Sequence, residues 1–145
     1  MSDSFLRLIP TNHDWQPDAD HEQKALEALR LLTPEADEVL AKRYDSPAFV
    51  DPGVNLVQIG CPVCRTEISP NWFGSQLGTS TEVSIRTPCC DTPLDLNDLN
   101  YDWPAGFARF VLSAMNPNRG WLNGRERELI DSALGHRVRE IWAHY

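Results

Sequence analysis

All four cysteines of this 145-residue chain sit in two short turns, GCPVCRT at Gly60 to Thr66 and RTPCCDT at Arg86 to Thr92. Two residues separate Cys61 from Cys64, twenty-four more lead to Cys89, and Cys90 follows at once. Thiols so spaced can hold a metal ion, exchange disulfides or cross-link the chain, and their surroundings discriminate among these chemistries. A redox CxxC belongs at the start of a helix whose N-terminus lowers the thiol pKa, whereas RTEISP follows Cys64 here. Disulfides need an oxidising compartment, and a bond between the neighbours Cys89 and Cys90 is strained. Four thiolates close the coordination of a tetrahedral Zn2+ and leave no open position for catalysis. Cys61, Cys64, Cys89 and Cys90 are therefore the expected ligands of a structural Zn2+.

The turn Cys61-Pro62-Val63-Cys64, entered from the apolar stretch VNLVQIG, resembles the knuckle of zinc-ribbon proteins. That resemblance implies a backbone folded back so that both sulfurs and nearby amides converge on one ion. The second turn departs from the pattern. Aligned beneath CPVCR, TPCCD puts Thr87 under Cys61, Pro88 under Pro62 and Cys90 under Cys64, so Cys89 falls where knuckles carry no ligand. Adjacent residues of a strand point to opposite faces, so both cysteines can ligate only if the chain turns there. Three cysteines with Asp91 or a histidine, or no metal, are the alternatives. Arg65 stands where knuckles usually carry glycine. In combination, FVDPG, CPVC, TPCC and LNDLNYDWPAGFARF resemble a group of small uncharacterised bacterial proteins, a likeness over most of the chain that carries no function with it.

Other chemistry-bearing residues are sparse. No HExxH, GxSxG, P-loop or GxGxxG pattern occurs, so no catalytic residue is assigned and the chain is read as not an enzyme. His13, His21, His136 and His144 lie outside the cysteine segment and suit surface or capping roles. Asp91, Asp95, Asp98 and Asp102 imitate a calcium loop, but the central Gly and closing Glu are missing, which leaves turn formation. Tyr101, Trp103 and Phe107, around Pro104 and Gly106, are expected to wedge the cysteine segment onto the rest of the fold.

The formal charge of −8 is distributed unevenly, with −6 over residues 1–60, −4 over 61–103 and +2 over 104–145. Phosphate binding draws on clustered Lys and Arg, so this balance argues against a duplex nucleic-acid clamp and suits a basic protein partner. No basic leader precedes an apolar core, and no apolar run approaches the 18 to 20 residues that cross a bilayer, which points to a cytoplasmic protein with no membrane contact.

The elements that must position the thiols follow from periodicity. FLRLIP sets Leu6 and Leu8 on one face of a strand, Asp18 or Asp20 caps a helix ending at Leu32, and ADEVLAKRY reads as a second strand. A strand over residues 107–115, a helix over 125–134 with Leu129, Ile130 and Ala133 on one face, and a C-cap at Gly135 repeat that order. HRVREIWAHY fits strand or helix, with the break at Gly135 favouring a strand. Between these units lie VNLVQIG and STEVSIR as strands and a short helix capped by Ser69. The expected fold is a single α+β domain: a ferredoxin-like split βαβ sandwich with units at 1–50 and 106–145 and a zinc-knuckle β insert at 51–105.

The functional expectation is a non-enzymatic binding protein with a structural zinc, whose acidic surface meets a basic protein partner, a toxin-neutralising immunity protein being one form. The alternative is a nucleic-acid- or ribosome-associated zinc ribbon using Arg119, Arg125, Arg127, Arg137 and Arg139. A redox or zinc enzyme ranks behind both. The sequence assigns neither the partner's identity nor an oligomeric state.

Overall fold

A computed structural model of the chain describes residues 2–79 and 83–145. Along it run β1 Ser4–Pro10, α1 Ala19–Leu32, β2 Glu38–Val50, β3 Ile59–Gly60, α2 Pro70–Thr79, β4 Ser84–Arg86, β5 Pro93–Asp95, a 3-10 turn Leu96–Asp98, β6 Asn100–Tyr101, β7 Gly106–Met115, α3 Gly124–Leu134 and β8 Val138–His144. The fold is mixed α/β. Four long strands form one antiparallel sheet in the order β2-β7-β1-β8. Thus the strand from Phe5 and the strand from Phe107 pair directly, although about a hundred residues separate them, with Leu8 opposite Leu112.

Alternation along the strands decides which side of the sheet the helices cover. Leu6 and Leu8 of β1, with Phe110, Leu112 and Ala114 of β7, pack against Ala25, Ala28 and Leu29 of α1 and Ile130 and Leu134 of α3. Each of the buried Leu, Ile and Phe side chains among them contributes roughly 1.5–3 kcal/mol relative to exposure. Helix boundaries follow their caps. The Asp18 carboxylate accepts from the His21 amide at 2.8 Å, the Thr33 hydroxyl closes α1 on the Leu29 carbonyl at 2.7 Å, and Asn123 and Glu126 form a capping box on α3. Gly135 ends α3 at φ 84°, in the left-handed region that glycine enters without a Cβ clash.

Several expectations need correction. Leu129 is 46% exposed, and the buried stripe of α3 runs through Ile130 and Leu134 instead. β2 continues past Tyr44 to Val50, with a break in register between Arg43 and Ala48. Pro47 falls in that break, on an edge strand, where a missing N–H costs no ladder bond. Of VNLVQIG, only Ile59 and Gly60 are in a strand, because Asp51-Pro52-Gly53 turns the chain back against β8. Gly53 sits at φ 63°, the Val54 amide donates to the His144 carbonyl at 2.9 Å, and a Cβ on Gly53 would collide with that same carbonyl. Finally, of STEVSIR only Ser84 to Arg86 forms β4; Ser80 to Glu82 lie outside the described residues.

Residues 51–105 leave the sheet at Val50 and return at Gly106, which are paired partners in adjacent strands. Their own core holds Ile59, Cys61, Ile68, Phe73, Val83, Leu96 and Leu99, joined to the sheet through Phe107 and Phe49. Phe49, Phe73, Tyr101 and Phe107 make the aromatic wedge, with ring centroids 5.1–6.4 Å apart. Trp103 does not join it; it lies at the surface, stacked on Trp121 at 5.8 Å.

Candidate metal centre

Each cysteine turn is built from the same backbone pattern. In the first, the Cys61 amide donates to the Thr66 carbonyl at 2.9 Å and the Arg65 amide donates to the Cys61 carbonyl at 3.0 Å. In the second, the Thr87 amide donates to the Thr92 carbonyl at 3.0 Å and the Asp91 amide donates to the Thr87 carbonyl at 2.9 Å. The fifth residue of each turn takes positive φ, Arg65 at 66° and Asp91 at 52°. The two hexapeptides CPVCRT and TPCCDT are therefore structural equivalents, aligned as their prolines align. The αL residue usually supplied by glycine is supplied at a cost by Arg65, and by Asp91, a residue type that tolerates αL.

Equivalence places Thr87 in the seat of Cys61. The Thr87 hydroxyl lies 3.1 Å from the Cys90 sulfur and accepts from the Thr92 amide at 2.9 Å. Because the chain turns at Thr87 to Asp91, the neighbours Cys89 and Cys90 both reach the cluster, their sulfurs 4.0 Å apart. Cys61 and Cys90 approach to 3.7 Å and Cys64 and Cys89 to 3.3 Å, and all four sulfurs lie within 4.8 Å of one another. A tetrahedral ion with bonds of about 2.3 Å to sulfur needs edges of roughly 3.7 Å, so the donor set fits a metal ion. Cys61 is fully buried, whereas Cys64, Cys89 and Cys90 are exposed.

Local donors set the thiols apart from one another. The Thr66 hydroxyl and amide hold Cys64 down at about 6, and the hydroxyls of Thr87 and Thr92 lower Cys90. Hydrogen bonding to Cys64, then burial, pushes Cys89 up to about 12. A divalent ion among them stabilises every thiolate at once and removes that competition.

None of the histidines joins the cluster. His13 faces Asp95 at 3.0 Å, His21 faces Asp18 at 2.8 Å, His136 packs on Trp15 and His144 bonds the Ser4 hydroxyl. Asp91 spends its carboxylate on Arg86 at 2.8 Å, and this contact lowers its pKa. The acidic run makes turns: Asp95 and Asp98 form a capping box on the 3-10 turn, and Asp102 accepts from the Val57 amide.

Two residues without any motif hold the centre against the sheet. The Asn97 side chain accepts from the Phe107 amide at 2.6 Å and donates to its carbonyl at 3.1 Å, as a neighbouring strand would. Arg139 donates to the carbonyls of Ala105 at 2.7 Å and Asn97 at 3.4 Å. Arg119 is likewise engaged, in a two-point contact with Glu126 and on the Leu32 carbonyl. Of the five C-terminal arginines singled out in the sequence, Arg125, Arg127 and Arg137 are exposed, while these two serve the fold.

The arrangement defines a compact cluster of four cysteines able to hold a metal ion. Comparison with protein-family models, curated proteins and solved structures finds no match to the chain. Among the described residues, no helix is long and apolar enough to cross a membrane.

Proposed function

We propose that the chain is a non-enzymatic binding protein in which a structural zinc, held by Cys61, Cys64, Cys89 and Cys90 in a zinc-ribbon-like insert, stiffens a ferredoxin-like core, and an acidic surface engages a basic protein partner. The strand order of the sheet supports the ferredoxin-like outline, and the thiolate-only donor set supports zinc in a closed site. A reducing cytoplasm suits such thiols. The cavities of about 430 and 670 Å³ carry no cysteine in their linings, which separates the thiols from any substrate-sized space there.

One observation carries the choice of partner. At the end of the sheet where β7 gives way to the Asn116 to Asn118 turn, Asp3 and Asp37 are held by the Asn116 amide at 3.1 and 2.9 Å, and Glu35 by Asn118 at 3.1 Å. None of the three has an ion-pair partner among the described residues. Amides orient these carboxylates without neutralising them, which leaves their field for cationic groups on another molecule. Glu22, by contrast, is tied to Arg43 at 2.9 Å and is a poor element of such a surface. A toxin-neutralising immunity protein is one concrete form of this reading.

The test is a binding series at several salt concentrations against basic proteins and against nucleic acid. Glu35→Lys with Asp37→Lys is expected to slow association with a basic partner, while Arg125→Glu with Arg127→Glu leaves it nearly unchanged. Binding to nucleic acid that the arginine pair abolishes and the acid pair strengthens would favour the ribosome- or nucleic-acid-associated alternative and sink this reading.

A further inference from the structure

We propose that Cys64 and Cys89 form an oxidative modification site, where a hydroperoxide converts two metal-bound thiolates to a disulfide that replaces the ion as the tie between the two turns. The inference rests on the four-thiolate metal reading above. The Cys64 and Cys89 sulfurs lie 3.3 Å apart, closer than Cys61 to Cys90 at 3.7 Å or Cys89 to Cys90 at 4.0 Å, and both side chains are exposed. Closing that gap to a bond of about 2.0 Å asks little of either turn. The competing pairs are disfavoured for separate reasons. Cys61 is wholly buried and out of reach of an oxidant. Cys89 and Cys90 are neighbours in the chain, with sulfurs 4.0 Å apart, and a bond between them closes a strained ring. Cys90 is also held between the hydroxyls of Thr87 and Thr92, each 3.1 Å from its sulfur.

The chemistry balances with the peroxide as two-electron oxidant. The Cys64 thiolate attacks one peroxide oxygen, the O–O bond breaks, and the departing hydroxide takes a proton to become water, leaving a sulfenic acid on Cys64. The Cys89 thiolate then attacks that sulfur, the S–O bond breaks, and a second hydroxide leaves and is protonated. In sum, two thiolates, one hydrogen peroxide and two protons give one disulfide and two waters. The ion keeps only Cys61 and Cys90 and passes to a competing chelator. Because the new bond joins the two turns across the same span the ion joined, the insert stays closed in the oxidised form.

The experiment begins with the metal content of the reduced, full-length chain and continues with hydrogen peroxide in the presence of a chromogenic zinc chelator, followed by peptide mapping without reductant. The expected result is about one zinc released per disulfide, a Cys64 to Cys89 cross-link, and recovery of zinc binding after reduction and metal addition. Cys64→Ser and Cys89→Ser should each suppress that cross-link, with circular dichroism reporting whether the variants fold; the wild-type map is decisive even if they do not. A Cys61 to Cys90 or Cys89 to Cys90 bridge, sulfinic acids without a disulfide, or zinc retained after oxidation would overturn the proposal. Metal-free protein at the start refutes the metal reading itself, an outcome distinct from a wrong cross-link in zinc-loaded protein.

Discussion

Exchanging the roles of Thr87 and Cys89 tests whether the two cysteine turns are equivalent. In the first turn the cysteines occupy positions one and four; in the second they occupy three and four, with Thr87 buried at position one and only 2% exposed. The Thr87 oxygen already lies 3.1 Å from the Cys90 sulfur, so a sulfur in its place falls within the spacing that a tetrahedral site requires. Cys89→Val alone removes one of the four proposed ligands. With roughly 10–16 kcal/mol of binding shared among the ligands of a structural zinc site, that loss is expected to be about 3 kcal/mol, or about a hundredfold in affinity. Adding Thr87→Cys rebuilds the second turn as CPVC, a copy of the first, and should restore most of that loss. Chelator competition gives the affinities, and zinc-dependent melting gives the stability. A double variant no tighter than Cys89→Val alone would show that the turns are not interchangeable and that the shared backbone pattern does not dictate where sulfurs converge.

Two further outcomes concern the scaffold. Hydrogen bonds from Arg119, then from the Asn123 amide, hold the Glu126 carboxyl at about 2 against an ordinary 4.5, so the unfolded chain binds more protons than the folded one between those values. Stability should be fully present above about pH 4.5 and fall as pH drops toward 2, and Glu126→Gln should flatten that slope in denaturant titrations at stepped pH. Leu8→Ala, at a fully buried site between the sheet and α1, should cost about 2–5 kcal/mol, read as a lowered denaturation midpoint at unchanged m-value. A cost under about 1 kcal/mol would mean the site collapses around the smaller side chain.

The parts of the fold that were legible in the sequence are those governed by repeating local patterns. Leu6 and Leu8 alternate as a half-buried strand must, Asp18 caps α1, and Gly135 ends α3, each through an interaction within a few residues. The candidate site was legible for the same reason: alignment on Pro62 and Pro88 puts Thr87 opposite Cys61, and the backbone hydrogen bonds repeat in that register. What escaped depends on contacts distant in sequence. Asn97 mimics a strand beside Phe107, Arg139 reaches back 34 residues to Ala105, and Glu22 of α1 finds Arg43 of β2, none with a periodic signal. Trp103 illustrates the ambiguity of aromatic runs, since its neighbours Tyr101 and Phe107 went inward while it stacked on Trp121. β2 outran its expected end because Pro47 marks a break that an edge strand tolerates, where a central strand would stop.

The pairing of Val50 with Gly106 bears on how fast the chain finds its fold. To the sheet, β2 and β7 form a hairpin whose tip is the whole insert, residues 51–105, and zipping its base requires that long loop to close first. An ion joining Cys64 to Cys89 short-circuits the loop, leaving only residues 51–64 and 89–105 to be closed. Closure entropy grows as about 1.5 RT times the logarithm of loop length, so the gain is about 0.5 kcal/mol, roughly a twofold faster zipping step. Refolding measured with and without zinc would carry that signature in the folding limb, and equal rates would mean that the sheet nucleates elsewhere, between β1 and β8, before the insert matters. A folding limb about twofold faster with zinc would make the metal centre a kinetic guide to sheet assembly as well as a clamp on the finished insert.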